Sequence, residues 1–383
     1  MKIVSLLKKK SKRIFLRVDF NVKIKGNKIL DDFRIKSAKK TIDYLIKNNH
    51  KIILATHLGN PKEKSPAFST KNLIPFLKKI FKKEIKFVDD CIGKKVENEI
   101  EKLNFGEILL LENLRFYKEE KQNSKSFAKK LKRLADYYVS EAFSVSHRKH
   151  ASVYTLPKLM KSYYGFQLKK EVEVLSKVLN SPKKPVILIL GGAKISTKIP
   201  LIKFWQKKAS AILVGGALAN VFLKANGFYL SDSLVEDKFL GLAKKWQDKV
   251  ILPIDFYGLS ENKKIYLTLK DLSGPKNFSF KILDIGKETI NFYQKILKVG
   301  ETIIWNGPMG LIEDERFSFG SKSLAKIIKD LNKFSVIGGG ETLSIFSSKK
   351  PQRNSKIFYS TGGGAMLEFL AGKELPALKV LGL

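Results

Sequence analysis

The 383-residue chain has a single cysteine, Cys91, which excludes a disulfide framework and leaves too few thiols for a cysteine-built zinc site. It has no apolar run near the roughly 18 residues that a membrane span needs. The opening MKIVSLLKKK puts too short an apolar stretch on the wrong side of its charges for a signal peptide. These absences predict a cytoplasmic protein with no membrane partner. Acidic residues are scarce, 36 against 73 basic ones, for a formal net charge of +37. Arginine is scarcer still: eight are present, so 65 of the basic residues are lysine. Glycine is thin in one half only, with five in residues 1–190 and 21 in residues 191–383.

What is present bounds the class. A hydrophobic content of 44% excludes general disorder despite the charge. The length predicts two domains, since a single core rarely grows past about 250–300 residues. A charge of +37 raises a nucleic-acid-binding reading, but the lysines are spread along the chain and neither an arginine-rich recognition helix nor a zinc module occurs. The expectation is a monomer with no specific nucleic-acid partner, in which salt-sensitive polyanion binding is a side effect.

The arginines carry more information than the lysines. Most surface sites accept either residue, but a rigid fork gripping carboxylate or phosphate does not. Each arginine in so poor a chain (Arg13, Arg17, Arg34, Arg115, Arg133, Arg148, Arg316 and Arg353) therefore marks a candidate geometric role. Six of them precede residue 181, as do all four histidines, His50, His57, His147 and His150. One half is equipped to hold anions by side chains and the other by backbone amides, which implies two different ligands.

Short apolar runs alternate with amphipathic stretches in both halves. RIFLRVDF, KIILATHL, EILLLENL and DYYVSEAF read as buried strands ending at polar loops, as do PVILILGGAK, AILVGGAL, ETIIWNGP, FSVIGGGE and KIFYSTGGG. Helical spacing marks 36–48 and 321–332. The fold class this predicts is α/β, with two Rossmann-like domains built on parallel sheets. Residues 166–180 read as a helix between the halves, ended by Ser181-Pro182. Ligands are expected where loops leave the carboxyl ends of the strands.

Four glycine-rich turns follow strands of the second half: Gly191-Gly192-Ala193-Lys194, Gly215-Gly216-Ala217, Gly338-Gly339-Gly340-Glu341-Thr342 and Thr361-Gly362-Gly363-Gly364. One such turn more often serves tight strand–helix packing. Four in one domain favour a phosphate cradle, because backbone without side chains approaches an anion closely. Neither a P-loop nor a G-x-G-x-x-G motif occurs. In the first half Arg17-Val18-Asp19-Phe20-Asn21, Arg34, Thr56 to Pro61, Glu112 to Phe116 and His147 to His150 lie at strand ends or just beyond. Singly, each Arg or His reads as a salt bridge or helix-end charge, and Asp19 reads as a pairing partner for Arg17. Together they suit a small anion bearing phosphate and carboxylate.

From about residue 14 to the C-terminus the chain resembles phosphoglycerate kinase. The motifs are RVDFN (17–21), HLGxP (57–61), LLENLRF (110–116), AFxxxHRxH (142–150), LGGAKxxxKI (190–199), WNGPxG (305–310), IGGGET (337–342) and STGGGAxLE (360–368), in family order. The resemblance implies an N-terminal 3-phosphoglycerate domain over 1–165, a hinge helix over 166–181 and a nucleotide domain over 182–366. A tail over 367–383 would return to the first domain. It implies Mg²⁺-dependent phosphoryl transfer between 1,3-bisphosphoglycerate and ADP, giving 3-phosphoglycerate and ATP, with hinge closure.

By the same resemblance Asp19, Phe20, Asn21, Arg34, His57, Leu58, Gly59, Asn60, Arg115 and Arg148 bind the phosphoglycerate. Arg34, Lys194, Gly339 and Gly340 take catalytic roles. Gly192, Ala193, Lys194, Lys198, Gly215, Asn306, Pro308, Glu313, Gly338, Gly339, Gly340, Glu341 and Thr342 hold the nucleotide, Glu313 at the ribose, and Glu341 takes the metal.

Several positions depart from the family pattern. Asn60 stands for an arginine, a loss on the order of 1.5–3 kcal/mol where uncompensated. Glu341 stands for Asp and adds a methylene to an octahedral site. Ser140-Glu141 stands for Asn-Asp, Ser144 for Gly and Lys23 for Pro, and Leu218-Ala219-Asn220 differs on the adenine side. Since Arg34, Lys194, Lys198 and the glycine cradle remain, an active kinase with altered affinities is expected.

Overall fold

A computed structural model describes residues 2–7, 11–26, 28–29, 31–275, 277–346 and 355–383; Arg353 lies outside these. The chain divides into two compact units, Met1–Val174 with Glu374–Leu383, and Leu175–Lys373. The helix Phe166–Asn180 carries the boundary within it.

In the first unit the strands are β1 (Lys2–Ile3), β2 (Arg13–Arg17), the small pair β3 (Ile24–Lys25) and β4 (Lys28–Ile29), β5 (Lys51–Ala55), β6 (Ile85–Val88), β7 (Ile108–Leu111), β8 (Tyr137–Ser140) and β9 (Ser162–Tyr164). Seven of them form one parallel sheet in the order β1-β9-β8-β2-β5-β7-β6. The chain winds outward from β2 on one side and then crosses to β8 on the other. That reversal is where a parallel sheet opens a crevice beyond its strand ends. Ile14, Leu16, Ile52, Leu54, Ile108 and Leu110 are buried in the core beneath it. Such unbroken apolar runs are what a sheet covered on both faces requires.

The second unit contains β10 (Val186–Leu190), β11 (Ala211–Val214), β12 (Asp255–Ser260), β13 (Lys263–Thr268), β14 (Lys281–Ile285), β15 (Thr302–Asn306), β16 (Phe334–Gly338) and β17 (Ile357–Ser360). Five are parallel in the order β11-β10-β15-β16-β17, so the reversal falls between β10 and β15. All five β10 side chains are buried. The nine strand segments read from the apolar runs are all strands. The antiparallel sheet β13-β12-β14 is an addition that the apolar runs did not reveal, because KKIYLT alternates weakly and lies at a sheet edge.

Residues 36–48 form two helices, Phe33–Ser37 and Lys39–Lys47, in place of one. After the helix Gly364–Leu370, whose Leu370 carbonyl accepts from Trp205 Nε1 at 2.8 Å in the second unit, the chain leaves that unit. The closing helix Pro376–Val380 belongs to the first: Ala377 N donates to Ser146 O at 3.1 Å, and Ala377 packs with Ala142, Val145 and Val153. No helix of the described residues is long and apolar enough to cross a membrane.

Candidate active site

The carboxyl ends of β2, β5, β7 and β8 bring the first unit's predicted residues into one cluster. Asp19 follows β2 and is nearly buried; its ion pair is with Arg34, 2.6 Å away, rather than with Arg17. Arg34 stands at the start of the helix Phe33–Ser37 and remains about a quarter exposed. The other Asp19 oxygen accepts from Asn21 N at 3.1 Å and lies 3.8 Å from His57 Nδ1. Asn21 Oδ1 accepts from Gly59 N at 2.8 Å, and Arg115 Nη1 donates to Gly59 O at 2.6 Å. Side chains from four loops are thus tied into one surface by main-chain bonds.

Two of the predicted substrate residues have side chains buried in the core. The Phe20 ring is fully buried in the core beside Phe81, and Leu58 packs in the same core. Asn60 is exposed, and so is Arg148, whose Nε lies 3.2 Å from His147 Nε2. Within LLENLRF, Glu112 and Asn113 turn inward: Glu112 accepts from Thr70 N at 2.8 Å and Ser69 Oγ at 2.7 Å, while Asn113 Nδ2 donates to the Leu58 and Phe68 carbonyls. They fix the loops around Arg115, which is itself largely buried with Nη1 on Gly59 O.

The cluster is strongly cationic. Burial holds His57 well below the usual imidazole range, with Arg17, Arg115 and Arg34 adding to the effect and Asp19 opposing it. Burial, followed by Arg115, Arg17 and Arg148, pulls His150 down to about 3. Arg115 falls to about 10 for the same kind of reason. Asp19 reaches about 2: burial would raise it, but Arg34, His57, Ser144 and Arg17 together outweigh that. Neutral imidazoles among guanidiniums leave a site whose unmet demand is for negative charge.

In the second unit the site is main chain. Gly191 N donates to Asn306 O, Gly192 N to Pro308 O and Gly216 N to Met309 O, locking the ends of β10, β11 and β15 together. Gly307 has φ +91°, and a Cβ there would lie 2.1 Å from Gly191 O, so only glycine fits. Gly339, φ +99°, opens the turn into the helix Gly340–Phe346. Lys198 is buried and donates to Asn306 Oδ1, while Asn306 Nδ2 donates to Gly338 O at 2.8 Å. Thr342 Oγ1 accepts from Gly307 N at 2.8 Å. Burial, with Lys194 adding and Glu341 opposing, lowers the Lys198 ammonium to about 8. Lys194, Gly340 and Glu341 are exposed beside it.

A cavity of about 230 Å³ opens next to this cradle, lined by Gly192, Ala193, Gly216, Pro308, Glu313 and Glu341 among others. Gly215 lies buried just behind that lining, against Met309. Among the described residues no group of three or more His, Cys, Asp or Glu could hold a metal unaided. Glu341 beside a phosphate cradle fits Mg²⁺, which takes one or two carboxylates and completes its shell with phosphates and water.

Two candidate anion sites, one rich in guanidiniums and one built of glycine-rich main chain, fit the comparisons with known proteins. Residues 4–373 match the family model for phosphoglycerate kinase. The chain is 40% identical over 384 residues to phosphoglycerate kinase of Aquifex aeolicus, covering 96% of this chain and 95% of that one. It is also 40% identical over 381 residues to that of Dictyoglomus turgidum, at 97% and 96% coverage. The chain belongs to the phosphoglycerate kinase family. Its fold is similar to the solved phosphoglycerate kinase of Pyrococcus horikoshii OT3, with TM-score 0.90 and 32% identity over 100% of this chain and 98% of that one. The phosphoglycerate kinase from Coxiella burnetii gives TM-score 0.81 and 34% identity over 99% and 98%.

Three of the departures from the kinase pattern acquire physical roles. Ser144 Oγ donates to Asp19 Oδ2, so a side chain anchors the substrate-side carboxylate. Glu141 is buried at the start of the helix Phe166–Asn180 and accepts from Gln167 N at 3.2 Å, Leu168 N at 2.8 Å and Thr41 Oγ1. It caps that helix, and burial raises its carboxyl to about 7 against the pull of these bonds. Asn220 Nδ2 donates to Leu234 O at 3.2 Å, at the cavity wall. The capping roles of three buried acids (Glu141, Asp255 for Lys287–Val299 and Asp284 for Phe319–Leu331) were not legible in the sequence. Each lies far along the chain from the amides it satisfies.

Proposed function

We propose that this chain performs its family's reaction, phosphoryl transfer between 1,3-bisphosphoglycerate and ADP, with the following division of labour. The observation that carries the reading is the pairing of a guanidinium–imidazole cluster in one unit with a glycine cradle in the other, each beyond its own sheet's strand reversal. Asp19, Asn21, Arg34, His57, Arg115 and Arg148 hold 3-phosphoglycerate, with main-chain support from Phe20, Leu58, Gly59 and Asn60. Arg34 faces the carboxyl end and stabilises developing charge on the transferring group. Lys194 follows that group, and Lys198 with the amides of Gly338 to Thr342 receives the nucleotide phosphates. Gly192, Ala193, Gly215 and Pro308 shape the nucleoside pocket, and Glu313 takes the ribose.

The reverse acceptor is a carboxylate already ionised at neutral pH, so no general base is required. Positioning and charge neutralisation suffice. When bound, Mg²⁺ on Glu341 would neutralise phosphate charge. The ligands occupy different units, so transfer requires a closure that aligns them and excludes water, with Phe166–Asn180 as the shared element. Each site is complete within one chain, which supports a monomer, and the dispersed lysines support no sequence-specific nucleic acid partner. A coupled assay with ADP, 1,3-bisphosphoglycerate and saturating Mg²⁺ tests the reading. ATP formation is expected; its absence would sink the proposal.

A further inference from the structure

Arg17 was expected near the ligand, but its guanidinium is 1% exposed and all of its bonds point inward. Nε donates to Ser152 Oγ at 2.9 Å, and Nη1 donates to the Val18 carbonyl. Nη2 lies 3.3 Å from Nδ1 of His57, which is itself 2% exposed. Behind Arg17, Ser152 Oγ donates to Glu120 Oε1 at 2.6 Å and Ser152 N donates to Glu120 Oε2 at 2.9 Å. Glu120 is also buried.

The chemistry of these groups fixes the proton on the His57 ring. A guanidinium has five donors and no acceptor, so His57 Nδ1 must be the acceptor in its contact with Arg17. Asp19 Oδ1, at 3.8 Å, is too far to hold a proton on Nδ1 by hydrogen bonding. Burial opposes charging the ring, and although Asp19 favours it, an imidazolium would also stand among Arg17, Arg115 and Arg34, so the balance keeps the ring neutral. One proton remains for the ring, and it belongs on Nε2.

We propose that Arg17 is a positioning residue that locks His57 as the neutral Nε2–H tautomer, so that His57 offers the phosphoglycerate a hydrogen-bond donor rather than an acceptor. The Glu120–Ser152 pair holds Arg17 in place for this purpose. The functional half rests on the ligand assignment given above; the tautomer itself does not. An unlocked ring would spend part of its time with an acceptor nitrogen facing the anion, which repels it.

Nitrogen-15 NMR of the histidine rings in the intact protein reads the tautomer directly. With four histidines, a His57→Gln spectrum assigns the signal. Wild type should show a protonated-type Nε2 and a bare Nδ1 between pH 6 and 8. Arg17→Gln should show mixed tautomers and a KM for 3-phosphoglycerate raised roughly tenfold, with the KM for ATP unchanged. Ser152→Ala, which touches neither ring nor ligand, should move the same signal by a smaller amount. This variant keeps the test open if Arg17→Gln fails to fold. A protonated Nδ1 or an imidazolium in wild type overturns the proposal. So does an unmoved ring in whichever of the two variants folds. A correct tautomer that 3-phosphoglycerate leaves unperturbed supports the lock and overturns the ligand assignment instead.

Discussion

The two units build their candidate anion sites beyond the ends of a parallel sheet from opposite materials. The first unit uses long side chains: Arg34, Arg115, Arg148 and His57 converge from four loops and are braced by carboxylates and amides beneath them. The second uses main chain brought close by Gly191, Gly192, Gly307 and Gly339, with Lys198 as the one buried cation among the described residues of that cradle. A side-chain site can be altered one group at a time and degrades by steps. A backbone site depends on chain geometry, so a single methyl group can disable it.

Arg34→Ala should have the largest effect, lowering kcat by about 10²–10³ while Lys149→Ala changes it little, because in the proposed division of labour only Arg34 meets developing charge. Equal effects in steady-state kinetics would remove Arg34 from the reaction. Gly307→Ala tests the other material: it puts a Cβ 2.1 Å from Gly191 O at φ +91°. A loss of about 2 kcal/mol or more in urea unfolding is expected, with a raised KM for ADP and an unchanged KM for 3-phosphoglycerate. If both constants move together, the two sites are not independent as described.

Glu141→Ala should cost about 1–2 kcal/mol, since it uncaps Phe166–Asn180. The sign with pH is also fixed. The folded carboxyl, near 7, lies above its ordinary 4.5, so its contribution to stability is complete below 4.5 and is lost as pH rises towards 7. Glu141→Gln should flatten that slope in pH-dependent melts.

Lys198, lowered to about 8, predicts that kcat/KM for ADP falls above pH 8 as the free enzyme loses its ammonium. Lys198→Arg should remove this limb, because a guanidinium stays charged. The same depression makes folding more favourable as pH rises from about 8 to 10.5, where the unfolded chain binds more protons. The smallest effect is expected for Asn60→Arg: an unchanged or lower KM for 3-phosphoglycerate. A large rise would show that the loop after His57 does not face the ligand.

The sequence by itself determined the nine principal strand segments, the α/β class, the inter-unit helix over 166–180 and the division between an arginine-bearing and a glycine-bearing half. Those features rest on local signals: apolar runs long enough for a doubly covered strand, helical spacing, and residue types placed just past a strand end. Within the candidate site it placed the motifs at strand ends, and the fold brings Asp19, Asn21, Arg34, His57, Gly59 and Arg115 together there. Only the tertiary structure decided which way each side chain turned. Arg17 ends one strand and Arg115 follows another, and both are buried, yet one turns to Ser152 and His57 while the other reaches the Gly59 carbonyl. Phe20 belongs to the RVDFN motif but fills the core. Glu141, Asp255 and Asp284 cap helices that begin tens of residues away. The satisfaction of a buried polar group is a long-range property: the partner is chosen by packing, and packing is set by the whole fold.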